Sequence, residues 1–156
     1  MVLQPTPTAE ATSLAFLDAM AELARGVALV TCAVDGRMWG TTVTSFTSVS
    51  VEPPTVLVAL RSDGRAARAI AAAGRYGVVL LAVHQLELAR SAAVPGVEKF
   101  VDERRLRGAL ARFDCDVVAS TVVGETTVFY GDVRAAQAGR GRPLLHHRRR
   151  YTWPST

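Results

Sequence analysis

Two runs rich in branched apolar residues, Val27 to Val34 and Thr55 to Leu60, frame a stretch crowded with hydroxyls, and that frame constrains the fold most. Between Trp39 and Pro54 the chain places Thr41, Thr42, Thr44, Ser45, Thr47, Ser48 and Ser50 around Val43, Phe46 and Val49. The apolar residues recur at every third position. That spacing fits neither the alternation of a half-buried strand nor the broad apolar face of a helix. The stretch reads as a strand that ends and turns, presenting hydroxyls and free N–H groups to a groove. Such groups can donate to a polar, oxygen-rich ligand such as a phosphate without adding charge. A Thr-rich strand pair in a β protein accounts for the same residues equally well.

At 156 residues the chain is long enough for one domain with a single good core. Residues 1–10, with their prolines and threonines, read as a flexible N-terminal arm, leaving residues 11–156 as one domain. Hydrophobic residues make up 49% and charged residues 21%, a globular composition. The longest apolar run, Val78 to Val83, is too short to cross a bilayer, and no basic stretch precedes an apolar block at the N-terminus. These features predict a cytoplasmic protein without a membrane partner. Cys32 and Cys115 each sit in an apolar, strand-like run, as buried thiols do, and no metal-binding motif is present. The net charge is +4, with Lys99 the only lysine among 18 basic residues. Few aromatics interleave with the scattered arginines, which argues against a nucleic-acid platform.

The remaining punctuation predicts a mainly β chain with a few short helices. A helix is expected from Thr12 or Ser13 to Arg25, stopped at Gly26. Asp35-Gly36 is the strongest hairpin signal, joining the first strand to a return strand through Met38 and Trp39. Pro53-Pro54 ends the hydroxyl stretch. A helix over Arg65 to Ala73 closed by Gly74, a strand from Tyr76 to Val83 and a helix from His84 to Ala92 follow. Glu98 to Val101 is expected as a short helical turn, with Leu106 and Leu110 plugging the core. Phe113 to Val123, Thr126 to Ala138 and Leu144 to Tyr151 read as further strands. Many strands at short spacing predict an antiparallel, Greek-key-like barrel closed to hide its edges.

Taken together, Gly26-Val27 through Pro54, Gly74-Arg75-Tyr76-Gly77-Val78, Gln85 to Ala89, Phe113-Asp114-Cys115, Val128 to Val133 and Arg150-Tyr151 resemble the flavin reductase family with the FMN-binding split barrel. The resemblance runs from about Phe16 to Tyr151. It implies an NAD(P)H-dependent reductase that supplies reduced FMN or FAD to a partner monooxygenase. It also implies a homodimer with the flavin in a groove between subunits. On that resemblance Thr42, Val43, Thr44 and Ser45 run along the isoalloxazine edge, and Ser48, Val49 and Ser50 hold the ribityl and phosphate region. Arg61, Ser62, Arg65 and Tyr151 complete the implied cofactor-binding set. The cofactor carries the redox chemistry, and the protein positions the rings.

Two departures from the family pattern fall on the implied groove. Where relatives carry an Asn, a Ser and a Thr after the strand at Thr55, this chain has Arg61, Asp63 and Ala66. Asp63 repels a phosphate unless Arg61, Arg65 or Arg68 neutralises it. The family's Gly-Asp-His-Thr turn reads Gly124-Glu125-Thr126-Thr127, so Thr126 takes the catalytic position of a histidine. A threonine donates a hydrogen bond but carries no imidazolium charge. The alternative is therefore a split-barrel protein that has lost nicotinamide turnover and serves as a flavin- or ligand-binding protein, or as an accessory enzyme in a biosynthetic pathway.

Overall fold

The computed structural model describes residues 13–155. The arm expected over residues 1–10 lies outside them, as does Thr12. The first helix, α1 (Ser13–Ala21), leads into a short strand β1 (Arg25–Gly26) and then into β2 (Ala28–Val34). Asp35 and Gly36 both take positive φ, 51° and 72°, as the two central residues of a tight hairpin turn must. The chain returns as β3 (Arg37–Val43), setting Cys32 opposite Trp39. Next come β4 (Thr47–Val51) and β5 (Pro54–Arg61), α2 (Arg65–Ala73), β6 (Arg75–Leu80) and α3 (Leu86–Ala93). Two long strands, β7 (Ala111–Val123) and β8 (Thr126–Ala138), form the largest hairpin, and β9 (Leu145–His147) and β10 (Arg150–Thr152) close the chain.

Seven antiparallel strands form the main sheet in the order β3-β2-β6-β7-β8-β5-β4. Its two end strands, β3 and β4, follow one another in sequence yet share no ladder. The sheet curls round so that Thr44, Ser45 and Phe46 bridge the gap, which leaves a barrel split at one seam. The Greek-key-like barrel expected from strand spacing is thus present, with its opening at the hydroxyl stretch.

Both faces of β2 and β6 are covered, which explains their unbroken apolar sequences. Inside the barrel, Val30, Val58, Val78 and Phe129 pack with Ile70 of α2. On the outer face, Leu29 and Val79 pack with Leu81, Leu88, Leu106 and Leu144 under α3. Alternate residues of one strand therefore feed two separate cores. At the end of α2, Gly74 takes φ 68° and donates its N–H to the Ile70 carbonyl at 2.8 Å. That left-handed stop suits a residue without a side chain.

Three expectations are corrected. The first helix ends at Ala21, not at Arg25, because Arg25 and Gly26 pair with β9 as a strand. Glu98 to Val101 is extended, not helical: Gly40 N–H donates to the Lys99 carbonyl and Val101 N–H to the Met38 carbonyl, both at 2.9 Å. The free edge of β3 captures this segment, and a backbone partner supplied from far away overrides local preference. Leu144 to Tyr151 is not one strand either. Arg148 and Arg149, at φ 48° and 61°, reverse the chain between β9 and β10. His146 and His147 lie on β9, and His146 pairs with both Arg25 and Tyr151.

Candidate functional site

The end of β3 and the turn that follows it open onto a cavity of about 750 Å³, within the usual size range of ligand pockets. Thr41 to Ser45 form one wall, and Ala59, Leu60 and Arg61 at the end of β5 form another. The first turn of α2 and the segment from Pro95 to Lys99 complete it.

The hydroxyls of the wall divide into two kinds. Thr42 Oγ1 donates to the Ala89 carbonyl of α3 at 2.7 Å. Ser45 Oγ donates to the Ala59 carbonyl at 2.8 Å and accepts from the Ala59 N–H at 3.2 Å. These two side chains hold the end of β3 in place, one against the helix and one across the seam. The side-chain hydroxyls of Thr41 and Thr44 have no hydrogen-bond partner among the described residues, so they remain for a ligand.

At one end of the cavity lies buried Trp39. The Arg65 guanidinium sits 4.9 Å from its ring centre. The ring of Phe100 meets Trp39 edge-on at 5.2 Å, and Arg37 covers the Phe100 ring at 3.8 Å. This pair of edge-on rings, covered at each end by an arginine, braces the wall that carries Lys99. Burial lowers the Lys99 ammonium pKa from its ordinary value.

Arg61 and Asp63 answer one departure noted in the sequence. Arg61 grips Asp63 through two hydrogen bonds of 3.1 and 2.8 Å, which holds the Asp63 carboxyl below the ordinary carboxylate value. Arg61 also reaches Glu125 at 3.6 Å, and Arg68 donates to the Asp63 carbonyl. The carboxylate is neutralised, but Arg61 is spent in doing so.

The cavity therefore brings together Thr42, Val43, Thr44, Ser45, Arg61 and Arg65. Ser48, Val49 and Ser50 lie on β4, outside its lining, with Val49 half exposed. Ser62 shares a 2.7 Å hydrogen bond with Thr127, which clips the turn after β5 to the β7–β8 turn. Thr126 opposes Arg61 across the β5–β8 ladder, next to the cavity but not on its wall. Tyr151 stands on β10, half-buried, with its ring 5.6 Å from that of His146. Trp39, singled out by its place just before the hydroxyl stretch, does line the cavity. Lys99 was missed, because its segment reads as helix until the edge of β3 captures it.

Neither cysteine lines the cavity, although Cys32 stands opposite Trp39 on β2. Both are free and buried, and burial pushes Cys32 up to about 11 and Cys115 up to about 12, so both stay as inert thiols. Among the described residues, no helix is long and apolar enough to cross a membrane.

Comparison with known proteins places this geometry. The reductase component of a 4-nitrophenol 4-monooxygenase/4-nitrocatechol 2-monooxygenase from Rhodococcus opacus is 37% identical over 158 aligned residues, covering 96% of this chain and 83% of that protein. The NADH-dependent flavin reductase StyB of Pseudomonas fluorescens is 32% identical, covering 97% and 95%. Among solved structures, the styrene monooxygenase flavin reductase of Pseudomonas putida S12 superposes with a TM-score of 0.81 at 31% identity, over 90% of this chain and 97% of that one. Residues 20–155 match the family described as flavin reductase like domain, and the chain belongs to that family.

Proposed function

We propose that the protein is an NADH-dependent flavin reductase that hands reduced FMN or FAD to a monooxygenase. The observation that carries this reading is the wall from Thr41 to Ser45, uncharged donors lining a cavity beside Trp39. The relatives named above are reductases of this kind. The donor set fits a flavin. Free hydroxyls on Thr41 and Thr44 suit the heteroatom edge of a polar ring, the apolar atoms of Val43 and Leu60 suit its faces, and nearby cations suit a phosphate.

Flavin, when bound, supplies the two-electron chemistry between nicotinamide and the second enzyme. The chain's residues bind and orient. Thr42 and Ser45 hold the wall rigid through Ala89 and Ala59, so Thr41 and Thr44 present their donors without reorganising. Thr126, beside Arg61, addresses the reacting end as a neutral donor.

We assign the open side of the groove to a second copy, as a homodimer. Leu14, Phe16 and Leu17 of α1 are 68%, 58% and 56% exposed, and Val118, Val122 and Val123 of β7 are likewise uncovered. Apolar faces of this kind mark protein interfaces. Ser48, Val49, Ser50 and Tyr151 belong to surfaces that a second copy can bring to a shared groove. We place the protein in the cytoplasm, where reduced nicotinamide is available and its thiols stay unpaired.

Anaerobic mixing of the protein with FMN and excess NADH tests the activity. Bleaching of the flavin absorbance at a rate proportional to protein is expected. Flavin that binds without bleaching would instead favour the binding-protein alternative, which the threonine at position 126 makes specific.

A further inference from the structure

Outside the cavity, arginines gather on one face. The turn Glu103–Leu106 is anchored by Leu106 in the outer core, and Arg104, Arg105 and Arg107 around it are exposed. Backbone contacts bring two more arginines to the same place. The Arg105 carbonyl accepts from Gln85 Nε2, and the Arg142 carbonyl accepts from the Val83 N–H, both at 3.0 Å. Gly139 donates its N–H to the Leu110 carbonyl at 2.7 Å, and Arg112 and Arg140 line a hollow of about 290 Å³ beside it. A Cβ on Gly139 would stand 2.3 Å from the Ala109 carbonyl oxygen, so glycine lets these strand ends meet.

Elsewhere arginines sit against acids, as Arg90 does with Glu87 and Arg148 with Glu22. Here the acids of the turn are already engaged, Glu103 with Arg112 and Asp102 with the Arg104 N–H at 2.8 Å. Arg105 reaches the Ser91 hydroxyl and Arg142 the Pro154 carbonyl, both neutral acceptors. Arg104, Arg107 and Arg140 have no ion-pair partner among the described residues. Guanidinium groups without counter-charge favour carboxylates, which their planar forks grip in pairs. The hollow falls just below the size of small-molecule sites, so it suits one acidic side chain and not a cofactor. Trp153, beside Pro154 and 42% exposed, adds the aromatic anchor common at protein interfaces.

We propose that this face docks an acidic segment of a partner protein, the oxygenase that takes the reduced flavin if the reductase reading above holds. Position supports that partner. The helix α3 starts just after Val83–Gln85 and ends at Ala93 on the cavity wall, about 12 Å of helix. Val122, on the surface assigned to the second copy, lies about 30 Å along β7 from Arg112. A partner held here stands near the cavity and leaves that surface free.

Fluorescently labelled hexaglutamate is the probe, titrated against the full-length protein. The parent should bind it at about 0.05 M salt and lose it by about 0.3 M. Arg104→Glu, Arg107→Glu and Arg140→Glu should each weaken binding about fivefold or more. Arg75→Glu, the same charge change at the far end of β6, should stay within about twofold of the parent. All four variants should keep the parent's oligomeric state and its rate of FMN bleaching by NADH. No binding by the parent, or an equal loss in Arg75→Glu, would overturn the proposal. So would a DNA duplex that binds the parent more tightly than the peptide, or patch variants with an altered oligomeric state. A parent that binds the peptide but does not reduce flavin would remove the oxygenase and leave the acidic-segment site, so the two readings fail separately.

Discussion

Helices α1 and α2 are both nine residues long and both rich in alanine and larger apolar residues, yet they end up in opposite environments. α2 buries Ala66, Ala67 and Ile70 in the barrel core, while none of α1 is buried. What holds α1 in place is polar. Arg148 forms a forked pair with Glu22, Arg149 reaches Asp18, and the Arg148 N–H donates to the Ala21 carbonyl at 2.8 Å. α2 is a part of the monomer's core, whereas α1 is a displayed apolar surface steered by the β9–β10 hairpin. The difference shows that amphipathic content says how much a helix wants to bury, and the surrounding chain decides whether it can.

The largest effect should come from α2. Ile70→Ala should cost about 2–5 kcal/mol in chemical denaturation, because a fully buried side chain leaves a cavity in a packed core. Leu17→Ala in α1 should change monomer stability by less than about 0.5 kcal/mol, since an exposed side chain leaves no such cavity. Equal costs at the two sites would break the contrast.

Next in size is association. Leu14→Glu with Leu17→Glu should shift the protein from dimer to monomer by sedimentation or light scattering, with the helical signal retained. A carboxylate forced into an apolar interface costs far more than one left in water. A parent that is monomeric at micromolar concentration would remove α1 from the dimer interface altogether.

Smaller still is the acid response of the hairpin that steers α1. Burial, followed by the nearby Arg25, lowers the His146 pKa below 6.5. The unfolded state therefore binds the proton more readily. His146 contributes stability that is present above about pH 6.5 and is lost as pH falls toward the folded value. The parent should lose stability on acidification through that window more steeply than His146→Gln.

The smallest effect is expected at Arg148→Gln. Its pair with Glu22 is solvent-exposed, and such pairs contribute little and fade with salt. Proteolysis should show α1 loosening slightly at low ionic strength, and no difference from the parent in high salt.

Short-range chemistry was legible in the sequence. Asp35-Gly36 specified its turn, Gly74 ended α2 after Ala73, and the Thr126 to Ala138 strand has the expected bounds, because each is decided by φ preference or by alternation within a few residues. The two apolar runs around the hydroxyl stretch likewise announced strands wherever they came to lie. Tertiary structure decided the rest. Glu98 to Val101 became extended because the edge of β3, at Met38 and Gly40, offered backbone partners far away in sequence, a competition that no local window contains. Leu144 to Tyr151 folded back because Arg148 and Arg149 gain acidic partners, Glu22 just past α1 and Asp18 on it, in exchange for a left-handed backbone. The same holds at the cavity. The sequence marked Thr42 to Ser45 and Arg65, but which hydroxyls are spent on Ala89 and Ala59, which arginine is spent on Asp63, and that Lys99 faces them, follow only once distant strands pair. Composition and local preference set what each segment can become; burial and hydrogen-bond satisfaction, which are properties of the whole chain, select among those possibilities.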